Sequence, residues 1–95
     1  MAVYLVTYDL ITPGKNYTPL LDAIRKYTNC YALKSAFFID TLESEVTVAK
    51  KLVQLIDGND KLYVMEITKH WAANKKMVCT DWLNAPVRTF GKRVA

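Results

Sequence analysis

Ninety-five residues, 52 % of them hydrophobic, with a net charge of +4 and no low-complexity stretch, predict a single globular domain over 1–95. The composition excludes several classes. The longest apolar run is too short to span a bilayer, no signal-peptide pattern opens the chain, and one histidine with two cysteines makes no zinc set. A cytoplasmic protein without a membrane partner is expected, small enough that self-association is a natural means of burying more surface.

The chain opens with Ala2-Val3-Tyr4-Leu5-Val6-Thr7-Tyr8-Asp9-Leu10. A continuous run of β-branched and aromatic residues reads as a strand buried on both faces. It ends in one carboxylate, so Asp9 is delivered to a sheet edge. Asp9 there either caps its own turn through a side-chain to backbone bond or serves as a metal-binding or catalytic acid. A loop with Pro13-Gly14 follows. Thr18-Pro19 then starts a helix over 18–28, Thr as N-cap and Pro in the first turn, with Leu20, Ile24 and Tyr27 on one face.

Residues 30–40 are apolar but interrupted by Lys34-Ser35. Two strand pieces, 30–34 and 35–40, are expected, joined by a bulge or a very tight turn. Ser35 at that break would make a local hydroxyl to backbone bond or take a functional role. Residues 41–56 form a second helix, capped by Ser44 or Thr41, with Val46, Ala49, Val53 and Ile56 as its buried stripe and Leu42 and Leu52 beside it. Asp57-Gly58-Asn59-Asp60 stops it. Lys61 to Thr68 is a strand. Residues 69–74 form a loop with His70 and Trp71. Residues 75–83 are expected to form a short helix burying Met77, Val78 and Trp82, and Val87 to Phe90 to form an edge strand or an arm for a partner. Gly91 to Ala95 is expected to be a frayed basic tail. Cys30 and Cys79 read first as small apolar packing residues, with a disulfide or a reactive thiol as the lesser reading.

This order predicts an α+β domain: a ferredoxin-like βαββαβ sandwich with core 2–68, helices on one face of the sheet, and a short C-terminal helix and strand or arm within 69–95. Charge divides the chain at the same place. Residues 1–68 carry seven Lys/Arg against eight Asp/Glu. Residues 69–95 carry Lys69, Lys75, Lys76, Arg88, Lys92 and Arg93 against Asp81 alone. Such asymmetry points to a polyanion, of which nucleic acid is the commonest, or to a solvated basic tail.

Tyr8-Asp9-Leu10 closing the first strand, Lys34-Ser35-Ala36-Phe37 in the middle, and the helix–turn–strand from Leu52 to Val64 resemble the Cas-two family of small CRISPR-associated proteins. Pro13-Gly14-Lys15-Asn16-Tyr17 and Asp57-Gly58-Asn59-Asp60 are similar to the SinR-like relatives of that family, and VapD-type toxins share the plan. The resemblance covers residues 2–68. It implies a ferredoxin-like fold and a homodimer, with Val87 to Phe90 as the segment exchanged between subunits. It also implies that Asp9 would hold Mg²⁺ between subunits in a metal-dependent endonuclease acting on RNA or DNA. Other members of the family act as DNA-binding scaffolds beside an integrase-type protein.

Within that picture Asp9 and Ser35 are the candidate catalytic residues, Asp9 the metal ligand, and Lys15, Lys34, Lys75, Lys76, Arg88, Lys92 and Arg93 the candidate nucleic-acid contacts. Tyr8 and Tyr17 would stack or hydrogen-bond near the site, Tyr8 more naturally packing in the core. Trp71 would stack on a base or cover an apolar edge, and His70 would be a general base only if the fold brought it to Asp9. A non-catalytic binding or assembly module is the competing reading. A regulator holding a small anion in the Pro13–Tyr17 loop is a third, which lacks a glycine-rich phosphate fingerprint.

Overall fold

The computed structural model describes residues 1–92. The elements in order are β1 (Ala2–Asp9), α1 (Thr18–Arg25), β2 (Thr28–Leu33), β3 (Ala36–Thr41), α2 (Glu45–Val53), β4 (Lys61–Ile67) and α3 (Thr80–Asn84). The four strands form one sheet in the order β2-β3-β1-β4, and each neighbouring pair is antiparallel. The molecule is thus a small α+β domain. No helix among the described residues is long and apolar enough to cross a membrane.

The first strand lies in the middle of the sheet, between β3 and β4. Its alternation supplies both faces. Ala2, Tyr4 and Val6 join Phe37 and Ile39 of β3 under Leu20 and Ile24 of α1 and Val48 and Leu52 of α2, and these nine residues are the buried core. Leu62 and Val64 of β4 pack against its margin. Val3 and Leu5 point the other way, as strand alternation requires.

Where the observed elements differ from expectation, a local polar contact decides the outcome. Helix α1 stops at Arg25, because the Asn29 amide donates to the carbonyls of Arg25 and Tyr27 and the chain turns into β2 at Thr28. Its N-cap position is Tyr17, with Thr18 already helical and its N–H taken by the Asn16 side chain. Helix α2 is capped by Ser44, whose hydroxyl accepts from the Thr47 N–H at 3.2 Å, while Thr41 belongs to β3. The buried stripe of α2 is Val48 and Leu52; Val46, Val53 and Leu42 are about half exposed. The entry into the helix sets this rotation. Tyr4 donates to the carbonyl of Glu43, and the Glu43 carboxylate is held by Tyr27 and Lys51. These contacts, led by Lys51, hold the Glu43 carboxyl below its ordinary pKa, while burial and then Glu43 push the Tyr27 phenol upward.

The C-terminal quarter departs furthest. The third helix is one short turn-and-a-half at Thr80–Asn84, and Val78 lies outside it and exposed, whereas Cys79 and Leu83 are buried. Val87 to Phe90 forms no strand. Arg88 instead folds back, its guanidinium 3.0 Å from Asp40 and 3.9 Å from the Trp82 ring. Gly91 and Lys92 are tied down, the Lys92 N–H donating to the Met1 carbonyl at 3.3 Å; the rest of the expected tail, 93–95, lies outside the described residues.

The reading of the cysteines as separate packing residues is overturned. Cys30 on β2 and Cys79 before α3 form a disulfide across 49 positions, with Cα atoms 6.0 Å apart. Cys30 points to the sheet face away from α1 and α2, where its antiparallel neighbour is Phe38. The bond therefore straps the C-terminal segment over that face.

Candidate functional site

The carboxyl end of β1 is assembled from three chain segments. Asp9, the last residue of β1, is exposed and lies opposite Lys61 in the β1–β4 register. The two-residue turn Lys34–Ser35 joins β2 to β3 and is stitched to the same strand end. The Ser35 carbonyl accepts from the Tyr8 N–H and from the Thr7 hydroxyl, each at 3.1 Å. Thus Asp9, Ser35 and Lys34 share one end of the sheet. Lys15 lies in the loop that follows Asp9, where Gly14 takes a left-handed φ of 75° and the Lys15 N–H closes a turn onto the Thr12 carbonyl.

That loop is held by a residue whose importance the sequence did not announce. Asp60, at the entry to β4, is 8 % exposed. Its carboxylate accepts from the Ile11 N–H (2.9 Å), the Thr12 hydroxyl (2.9 Å), the Tyr17 hydroxyl (2.7 Å) and the Asp57 N–H (2.8 Å). Burial pushes this carboxyl upward, but the four donors together outweigh burial and hold it far below the usual carboxylate range. Tyr17 is therefore a structural ligand of Asp60. Tyr8 packs against the core, its phenol raised by burial and by Tyr31, with Arg25 opposing. The signal for the clamp was present as Thr12, Tyr17 and the Asp57–Asp60 cluster, but only the fold makes them neighbours.

The other candidates lie elsewhere. His70 and Trp71 follow β4 at its far end, and six strand steps from Lys61 to Ile67 at about 3.3 Å each put them about 20 Å from Asp9. His70 is therefore no base for Asp9. Its N–H donates to the Thr68 hydroxyl, and Trp71 covers an apolar edge. Lys75 and Lys76 are exposed in the segment before α3, with Lys76 3.4 Å from Asp81. Arg88 is spent within the fold: NH1 donates to Asp40, Nε to the Trp82 carbonyl at 3.1 Å. The Lys92 side chain is exposed, and Arg93 lies outside the described residues.

Among the described residues no group of three or more His, Cys, Asp or Glu is placed to share a metal ion. At the end of β1 the exposed Asp9 carboxylate faces Lys61 across the register; Mg²⁺ keeps most of its waters and takes one or two carboxylates, so a second copy of Asp9 would complete such a set. Comparison with known proteins finds no matching family model, no matching curated protein and no matching solved structure.

Proposed function

We propose that this chain is a Cas-two-like protein of ferredoxin-like plan that acts on nucleic acid as a homodimer, with Asp9 as its working carboxylate. The observation that supports this reading is an exposed acid (Asp9) and the Lys34–Ser35 turn on one sheet end, with Lys15 in the following loop that Asp60 holds. An acid held on a strand rather than a loop is positioned without further ordering cost.

Two copies of Asp9 brought together by a twofold axis would repel, and a divalent cation between them relieves that repulsion. Mg²⁺ bound there would supply a water of lowered pKa and offset charge on a phosphate. In this reading Lys15 and Lys34 hold the backbone of RNA or DNA, and Ser35 orients a phosphate or water.

The competing reading is a binding or assembly module without catalysis, acting beside an integrase-type protein. The exposed cations Lys75 and Lys92 on the C-terminal segment favour it. A cytoplasmic setting belongs to the proposal too, and it pulls against the Cys30–Cys79 bond, since disulfides are rare where thiols are kept reduced.

The deciding experiment incubates labelled single-stranded RNA and double-stranded DNA with the protein in Mg²⁺, in Mn²⁺ and in chelator, comparing wild type with Asp9→Ala. Metal-dependent cleavage abolished by Asp9→Ala is expected. Salt-sensitive binding without cleavage would transfer the assignment to the binding module, and neither would remove nucleic acid altogether.

A further inference from the structure

The sheet face away from α1 and α2 is covered in part by the C-terminal strap, residues 68–92, with Tyr63 and Met65 of β4 left exposed on that face. Between strap and sheet lies a cavity of about 310 Å³, walled by Leu5 and Phe38 from the sheet, Ile67 and Trp71 at one end, and Met77 and Leu83 from the strap. Its lining is apolar. The hydroxyl it contains, that of Thr80, already accepts the Met77 N–H at 2.8 Å. Water has too few partners there to be held well. The volume is at the small end of the range for small-molecule sites, which are typically about 300 Å³ or more and mostly apolar.

A second cleft, of about 510 Å³, adjoins the far end of β4 and carries charged groups in its wall. Lys69, His70 and Lys92 line it, with Arg88 and the acidic Glu66. The Arg88 guanidinium is shared with Asp40, and the terminal ammonium of Met1 is close by, donating to Thr89, another lining residue. The two spaces share one wall. Within five consecutive residues, Ile67 and Trp71 line the apolar cavity while Lys69 and His70 line the cleft with the charged wall.

We propose that the two spaces form one binding site for an amphiphilic anion, its apolar body in the cavity under the strap and its anionic head on Lys69 and Lys92. The chemistry of the walls selects this class. A nucleobase would leave its polar edges without partners in the apolar cavity. A bare phosphate would leave the cavity unfilled. An aromatic or acyl body with one anionic group satisfies both spaces. The site is also fastened in advance: the Cys30–Cys79 bond, the Phe38–Trp82 stack at 6.4 Å and the Arg88–Asp40 pair hold the strap in place without ligand. Lys69 and Lys92 lie at the opposite end of the sheet from Asp9, although the cavity itself reaches Ala32 and Leu33 beside the Lys34–Ser35 turn; the probes below carry no nucleotide, so their binding is read separately from the nucleic-acid reading.

The probe is anilinonaphthalene sulfonate, an aromatic body carrying one anionic group, compared with its uncharged relative phenylnaphthylamine. Both tryptophans of the chain flank the site, Trp71 in its wall and Trp82 against Phe38, so energy transfer from tryptophan reports occupancy. One saturable site per chain is expected for the sulfonate. Lys69→Glu with Lys92→Glu is expected to weaken the sulfonate about tenfold and leave the uncharged probe unchanged. Ala72→Phe with Ala73→Phe, which enlarges two residues of the cavity wall, is expected to weaken both probes while the circular dichroism stays native. Cleaving the disulfide with dithiothreitol, which leaves two thiols and the oxidised reagent, is expected to weaken both as the strap loosens. Non-saturable binding, binding that ignores both sets of substitutions, or one probe per two chains would overturn the proposal, the last by making the cavity a contact between copies.

Discussion

On one face of the sheet, α1 and α2 lay Leu20, Ile24, Val48 and Leu52 over Tyr4, Val6, Phe37 and Ile39, none more than 1 % exposed. On the other face, a segment containing one short helix is pinned by a disulfide, an ion pair and an aromatic stack, and leaves a cavity of about 310 Å³. The first face is closed by shape, many small contacts that together leave no room for a neighbour to move. The second is closed by a few specific links, each of which carries a large share. Adjacent residues of β3 sample both: Phe37 faces the helices and Phe38 the strap.

The largest separation between the faces should therefore appear within that dipeptide. Phe37→Ala is expected to cost about 4 kcal/mol in urea denaturation, as a fully buried aromatic leaves a cavity that close-packed neighbours cannot fill. Phe38→Ala should cost about half as much, because its surroundings are already open. Equal losses would mean that the second face is as tightly packed as the first. Next, replacing both cysteines by serine removes a cross-link spanning 49 positions, worth about 3 to 4 kcal/mol on the chain-entropy account. Hydrogen exchange would sharpen the result: amides of 77–90 should lose protection in this variant while those of α1 and α2 keep theirs.

Arg88→Leu tests the second link. The Asp40 side chain is 2 % exposed, its Oδ2 is bonded to Arg88 and its Oδ1 has no hydrogen-bond partner. Removing the guanidinium strands a buried carboxylate, at a cost of about 3 kcal/mol. Adding Asp40→Asn to Arg88→Leu should restore part of that loss. The last test is the Asp60 clamp, which belongs to neither face and is read from the pH dependence of stability. Its folded pKa is depressed, so its contribution is fully present above the ordinary Asp value of about 4 and drains away as pH falls from there toward the folded value. Melting temperature measured between about pH 6 and pH 2 should fall less steeply in Asp60→Asn than in wild type.

How far these features were legible depends on the range over which they act. The central strand was legible because residues 2–8 are apolar on both alternations, and the Lys34–Ser35 turn because two polar residues interrupt an apolar run. The buried stripe of α2 was not. Val46, Ala49 and Val53 satisfy helical spacing as well as Val48 and Leu52 do, so periodicity offered two faces. The choice between them was made outside the helix, by Ser44 and by Tyr4 holding Glu43. The position of Asp9 at a strand end was readable from its place in the run, whereas its company with Ser35 was expected only from the family resemblance. The long-range bonds of the Asp60 clamp and the Arg88–Asp40 pair join residues 43 to 49 positions apart, beyond what local pattern can connect. The same holds for Cys30 and Cys79, whose neighbours in sequence say nothing of their neighbours in space.

The central place of β1 has a consequence for how the chain assembles. Synthesised before the other strands, β1 lies between strands that emerge later: β2 and β3, linked by two residues, form a local hairpin, whereas the β1–β4 register begins with Asp9 against Lys61. Closing so long a loop is slow compared with zipping a hairpin. The hairpin is thus expected to form early, β1 to dock along β3, and β4 to arrive last. Until Lys61 to Ile67 have emerged, β1 offers an unpaired edge whose side chains are apolar on both faces, a template for any other nascent copy. Chains interrupted before residue 61 should accumulate as aggregates rather than as soluble fragments.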